Sequence, residues 1–97
     1  MKSFLLMTGS GPILILTKYE SIKDPVLLEK LQLKGIDKFA SYEVPLELAR
    51  ERYGGHFIKV INDWLESDGL RVLDFNGERA FTLFSFSELG EAHIHEP

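Results

Sequence analysis

The 97-residue chain carries 15 acidic against 11 basic side chains, and a net charge of −4 disfavours attraction to phosphate backbones, so no nucleic-acid partner is expected. It contains no cysteine, which excludes disulfides, thiol nucleophiles and thiolate metal sites; a metal ion would have to use His, Asp and Glu. Hydrophobic content of 44% and charged content of 27% are those of an ordered globular chain with one core, read as a single domain over residues 1–97.

The opening Met1-Lys2-Ser3-Phe4-Leu5-Leu6-Met7 starts like a signal peptide. Thr8-Gly9-Ser10-Gly11-Pro12 interrupts the apolar run, and no small-residue cleavage site follows. With no window approaching the ~18 uninterrupted apolar residues of a membrane helix, a cytoplasmic chain without a membrane partner is expected. Residues 2–8 and 13–18 read as two strands of a hairpin with residues 9–12 as a four-residue loop. Asp24-Pro25 supplies a helix cap and a proline at the first helical position. Val26, Leu27, Leu28 and Leu31 form an apolar stripe, and Gly35 stands where the helix should end.

Phe39 to Val44, bounded by Gly35 and Pro45, reads as a third strand. From Pro45 onward, Leu46, Ala49, Tyr53, Phe57, Val60, Ile61, Trp64 and Leu65 recur at helical spacing. Gly54-Gly55 costs about 1 kcal/mol per glycine in a helix interior, and either divides that helix in two or lets its backbone approach the sheet closely. Asn76-Gly77 is the strongest turn signal in the chain, the pair a type I′ hairpin requires, set between strands at 70–75 and 78–86. Residues 88–97 read as a loosely anchored tail.

The element order ββ-α-β-α-ββ implies an α/β domain, with α+β as the alternative, built on a five-stranded mixed sheet. The helical crossovers would make strands two, three and four parallel, with both helices mainly on one face. Phe4 and Leu6 alternate with Leu5 and Met7, and Ile13 and Ile15 with Leu14 and Leu16, so both faces of the sheet are apolar. The second face then calls for another copy of the chain, and a homodimer is expected, with Phe84 and Phe86 at its interface.

Tyr42, Glu43 and Arg50, with Asp74, fall where a ligand would collect beyond the carboxyl ends of parallel strands. The arginine would clamp an anion and a carboxylate would act as a base. The same residue types also line any solvated helix face. In Glu91-Ala92-His93-Ile94-His95-Glu96, alternation would put His93 and His95 on one side of an extended segment with Glu91, a trio able to bind zinc or nickel. No nucleophile elbow or Walker lysine is present, and no cofactor is implied. The function this supports is a non-enzymatic, self-associating module for protein interaction or regulation. The alternative is a small-ligand binder or enzyme using Tyr42, Glu43, Arg50 and Asp74.

Overall fold

A computed structural model of the chain describes residues 1–52, 69–73 and 86–96. Strands β1 (Lys2–Thr8) and β2 (Gly11–Thr17) form the expected hairpin, with Thr8 paired to Gly11. The turn is only Gly9-Ser10, two residues shorter than the spacing suggests, because Gly11 takes a φ of +114° and enters the strand there. Thr8 Oγ1 donates to the Gly11 carbonyl at 2.8 Å and accepts from Ser10 N–H at 3.1 Å, which fixes the turn. Among the described residues the strand on the outer side of β2 pairs with it over Leu14 to Thr17, so no described ladder partner misses the N–H that Pro12 lacks.

Helix α1 (Pro25–Leu33) follows its sequence signals. The Asp24 side chain accepts from Val26 N–H at 2.9 Å, and Pro25 fills the first turn, where its missing donor costs nothing. At the other end Gly35 takes a φ of +81°, Gly35 N–H donates to Gln32 O and Ile36 N–H to Leu31 O, both at 2.9 Å. This is a Schellman closure, and Ile36 packs in the same cluster as Leu31. Strand β3 (Phe39–Val44) follows as expected. A second helix, α2, starts after Pro45, whose carbonyl accepts from Ala49 N–H at 3.1 Å, and is described over residues 46–52. Strand β4 (Leu70–Leu73), a 3-10 turn over Phe86–Glu88 and strand β5 (Ala92–His95) complete the described chain. The Asn76-Gly77 turn, the Gly54-Gly55 pair, Trp64, Asp74 and Phe84 lie outside the described residues.

The fold is α+β, a five-stranded antiparallel sheet ordered β4-β2-β1-β3-β5 with two helices. The expected mixed sheet with parallel neighbours is therefore corrected: every pairing, β1 with β2, β1 with β3, β2 with β4 and β3 with β5, is antiparallel. The α1 crossover does give β2 and β3 one direction, but β1 lies between them and pairs with both. The connection after β3 then begins and ends at one end of the sheet. Val44 pairs with Ser3, and Leu70 pairs with Thr17, itself opposite Lys2, so β4 returns antiparallel to β2. A crossover able to make parallel neighbours would have to span the sheet to its opposite end.

The alternation read from sequence divides the core as expected. Phe4, Leu6 and Ile15 share one cluster with Leu27 and Leu31 of α1, with Ile22, Ile36, Phe39 and Leu70. Leu5, Leu14 and Leu16 share the other with Val44 and Ala49, and Leu46, Leu48 and Leu89 pack against it. The helices thus cover opposite faces, not one. The apolar second face that called for a copy of the chain is covered from within by the start of α2 and the segment around Leu89. Each fully buried leucine in these clusters contributes about 1.5–3 kcal/mol, so covering both faces internally is a large part of what holds the fold.

Candidate functional site

Three buried hydroxyls tie the sheet together. Ser3 Oγ donates to Val44 O at 2.7 Å, linking β1 to β3, and Thr17 Oγ1 donates to Gly69 O at 2.8 Å at the entry to β4. The third, Ser41 Oγ on β3, lies 3.0 Å from His95 Nε2 on β5. An unsatisfied buried hydroxyl would cost about 1–3 kcal/mol, so each of these polar residues is tolerated in the interior because it joins two strands.

The C-terminal segment that reads from sequence as a tail carries β5, docked on β3 with Phe39 opposite His95 and Ser41 opposite His93. The register places both imidazoles on the face covered by α1, the side shared by Phe39 and Ser41. His95 is half-buried and its ring stacks on Phe39 with centroids 4.7 Å apart and planes inclined by 26°. Burial holds the His95 pKa below the ordinary histidine value, and the neighbouring His93 and Lys23 act in the same direction. The Ser41–His95 pair has the spacing of a nucleophile and its base, but the Ser41 side chain is 1% exposed. A substrate carbonyl cannot approach that hydroxyl while β5 is seated.

The structure does not gather Tyr42, Glu43 and Arg50 into one pocket. Tyr42 and Glu43 are consecutive on β3 and leave opposite faces of the sheet. Tyr42 packs against the Leu5 cluster, while the Glu43 carboxylate meets Lys2 Nζ at 2.8 Å on the α1 face. That hydrogen bond raises the Lys2 pKa above the ordinary lysine value. Arg50 is exposed and 3.9 Å from Glu47 one helical turn away, the pairing of a solvated helix face. A ligand site beyond the carboxyl ends of parallel strands needs adjacent parallel strands, and every pairing among the described strands is antiparallel.

His93 and His95 do share a face, and among the described residues no third His, Asp or Glu completes a metal-binding cluster with them. Phe86 opens the 3-10 turn, and its companion Phe84 lies outside the described residues.

The arginine that organises this region is Arg52. Its guanidinium grips Glu88 with both ends, Nη1 to Oε2 at 3.1 Å and Nη2 to Oε1, and this contact holds it above the usual arginine pKa. Gly90 N–H donates to Glu43 O at 2.9 Å beside it, so α2 and the end of β3 together position the segment leading into β5. Sequence spacing could not reveal this pair, because the partners lie 36 residues apart.

At the opposite end of the sheet a cleft of about 750 Å³ lies between the Gly9-Ser10 turn, the α1–β3 connection and the end of β5. A recess of about 360 Å³ adjoins it, and Ile36, Phe39 and His95 line both. Among the described residues no helix is long and apolar enough to cross a membrane. The chain matches no family model, no curated protein and no solved structure.

Proposed function

We propose that this chain is a small non-enzymatic protein-interaction module that self-associates through the edge of β5 that no described strand pairs with. The observation that carries this reading is the position of β5, which among the described strands is the last in the order β4-β2-β1-β3-β5. Ala92, His93 and Ile94 are all exposed, and Ile94 is 77% exposed. An outermost strand presents unpaired N–H and C=O groups that template pairing with another chain, and an exposed isoleucine adds apolar area to that pairing.

A second copy is the partner that fits best. Under a two-fold axis β5 pairs antiparallel with itself, and the same short patch serves both sides. In the register centred on His93, each Glu91 stands opposite the His95 of the other copy, so the acidic flank meets a basic group. About five paired residues per copy bury less than the ~1,000 Å² of a stable interface, so the association is of the weak, concentration-dependent class.

Light scattering coupled to size exclusion over a dilution series tests this. The expected result is a dimer at high concentration that dissociates on dilution, and a monomer throughout for Ile94→Lys, which places a charge on the edge without touching the β3 pairing. A wild-type monomer at every concentration refutes the proposal. So does an unchanged mass profile for Ile94→Lys.

A further inference from the structure

Apart from the strand edge, the α1 face of β5 gathers three basic side chains. His93 and His95 project there together by the β3–β5 register. Lys23, in the connection leading into α1, lines two recesses on that face: one of about 360 Å³ shared with His95, and one of about 230 Å³ shared with His93. Among the described residues no carboxylate is ion-paired with them, although Glu43 lines the His93 recess, Asp37 and Glu96 line the His95 recess, and Glu91 alternates onto the same side of the segment. Glu43 is engaged by Lys2 at 2.8 Å, and Glu96 lies 3.9 Å from Lys38. Asp24 accepts from Val26 N–H at the start of α1. Asp37 lines the His95 recess, yet among the described residues neither it nor any other carboxylate lies within 4.0 Å of a nitrogen of Lys23, His93 or His95.

We propose that Lys23, His93 and His95 form a binding site for a small phosphate-type oxyanion, as free phosphate or as the head of a phosphate monoester. Three donors share one face, and an anion supplies the counter-charge that no described carboxylate provides within 4.0 Å. His95 is oriented for this role. Its ring is held flat on Phe39 and its Nε2 is occupied by Ser41, which leaves Nδ1 as the nitrogen available to a ligand. The Lys23 ammonium and the imidazoles supply charge-assisted hydrogen bonds, the strong class for phosphate oxygens. Leu28 and Ile36, which line the His95 recess, give an apolar wall against which the body of a monoester can rest. The site uses side chains on the sheet face, and because the proposed dimer would set the other copy's Glu91 opposite His95, the titration is run at a dilution where light scattering shows a monomer.

The test is an NMR titration of the full chain near neutral pH, following the histidine ring C2–H signals while inorganic phosphate or phenyl phosphate replaces chloride at constant ionic strength. Both ring signals should move saturably, and the His95 titration midpoint should rise, because a bound anion favours imidazolium. Lys23→Gln, at an exposed position where folding is not at risk, should weaken binding by about tenfold, the loss of one charge-assisted hydrogen bond. Lys34→Gln, in the neighbouring cleft but outside both recesses, should leave it unchanged. Tighter binding of phenyl phosphate than of inorganic phosphate would identify a monoester site, and equal binding a site for the phosphate group alone. Equal shifts with chloride, or a titration unaffected by Lys23→Gln, would overturn the proposal.

Discussion

Ser41 on β3 and His95 on β5 are 54 residues apart in sequence and 3.0 Å apart in space, joined through Oγ and Nε2. This contact fastens the outermost strand to the sheet, together with the Phe39–His95 stack immediately beside it. Removing the hydroxyl with Ser41→Ala should cost about 1 kcal/mol, since His95 Nε2 loses its partner in a half-buried setting. Urea denaturation should show the loss, and amide exchange should accelerate at residues 92–95 more than at residues 4–6 of the central strand.

Acid should loosen the same strand. Folding lowers the His95 pKa, so the folded state favours the neutral ring. The resulting stability is fully present above the ordinary value of 6.5 and is lost as the pH falls through the lowered folded value. The bond to Ser41 can survive protonation, because Nε2–H then donates to Oγ. The loss comes from burying the charge and from repulsion by His93 and Lys23. The melting temperature should fall between about pH 7.5 and pH 5, and His95→Gln should make that fall shallower.

Gly35 and Gly9 should respond differently to alanine. At Gly35 the backbone takes a φ of +81° with open space around the missing Cβ, so Gly35→Ala incurs backbone strain alone, about 1 kcal/mol. Gly9 also faces open space but is not among the glycines with positive φ. Gly9→Ala should be neutral within measurement error in thermal denaturation, and an equal loss at both sites would contradict the helix-closing role assigned to Gly35.

Arg52→Ala should act locally. The forked contact to Glu88 anchors the chain just before Gly90, whose N–H is hydrogen-bonded to Glu43 O. Without the guanidinium, protection of the Gly90 amide should fall while the amides of β1 keep theirs. Uniform loss of protection would mean that this pair supports the whole fold and not the C-terminal segment.

Elements written in contiguous residues were legible before the structure. Asp24-Pro25 and Gly35 bracket α1, Gly35 and Pro45 bound β3, and the paired alternations Phe4/Leu5 and Ile15/Leu16 assign side chains to two faces. Each depends on capping chemistry or on the twofold period of a strand, which act within a few residues. The His93 and His95 alternation was equally readable, but its ordering was not. Four residues of β5 gain their structure from Phe39 and Ser41, and no local pattern announces a partner so distant. The expected pocket around Tyr42, Glu43 and Arg50 has the complementary weakness: nearness in sequence stands in for convergence, although consecutive strand residues point to opposite faces, while its fourth member, Asp74, lies outside the described residues.

By itself the sequence determined that the chain has two apolar sheet faces, where α1 begins and ends, and that no cysteine chemistry is available to it. Only the tertiary structure decided that β1 lies between β2 and β3, that the two helices cover opposite faces, and that His95 closes over Ser41. The physical reason is that hydrophobic burial is non-directional. It requires that both faces be covered but leaves open which segment covers each, and long-range backbone pairing settles that choice.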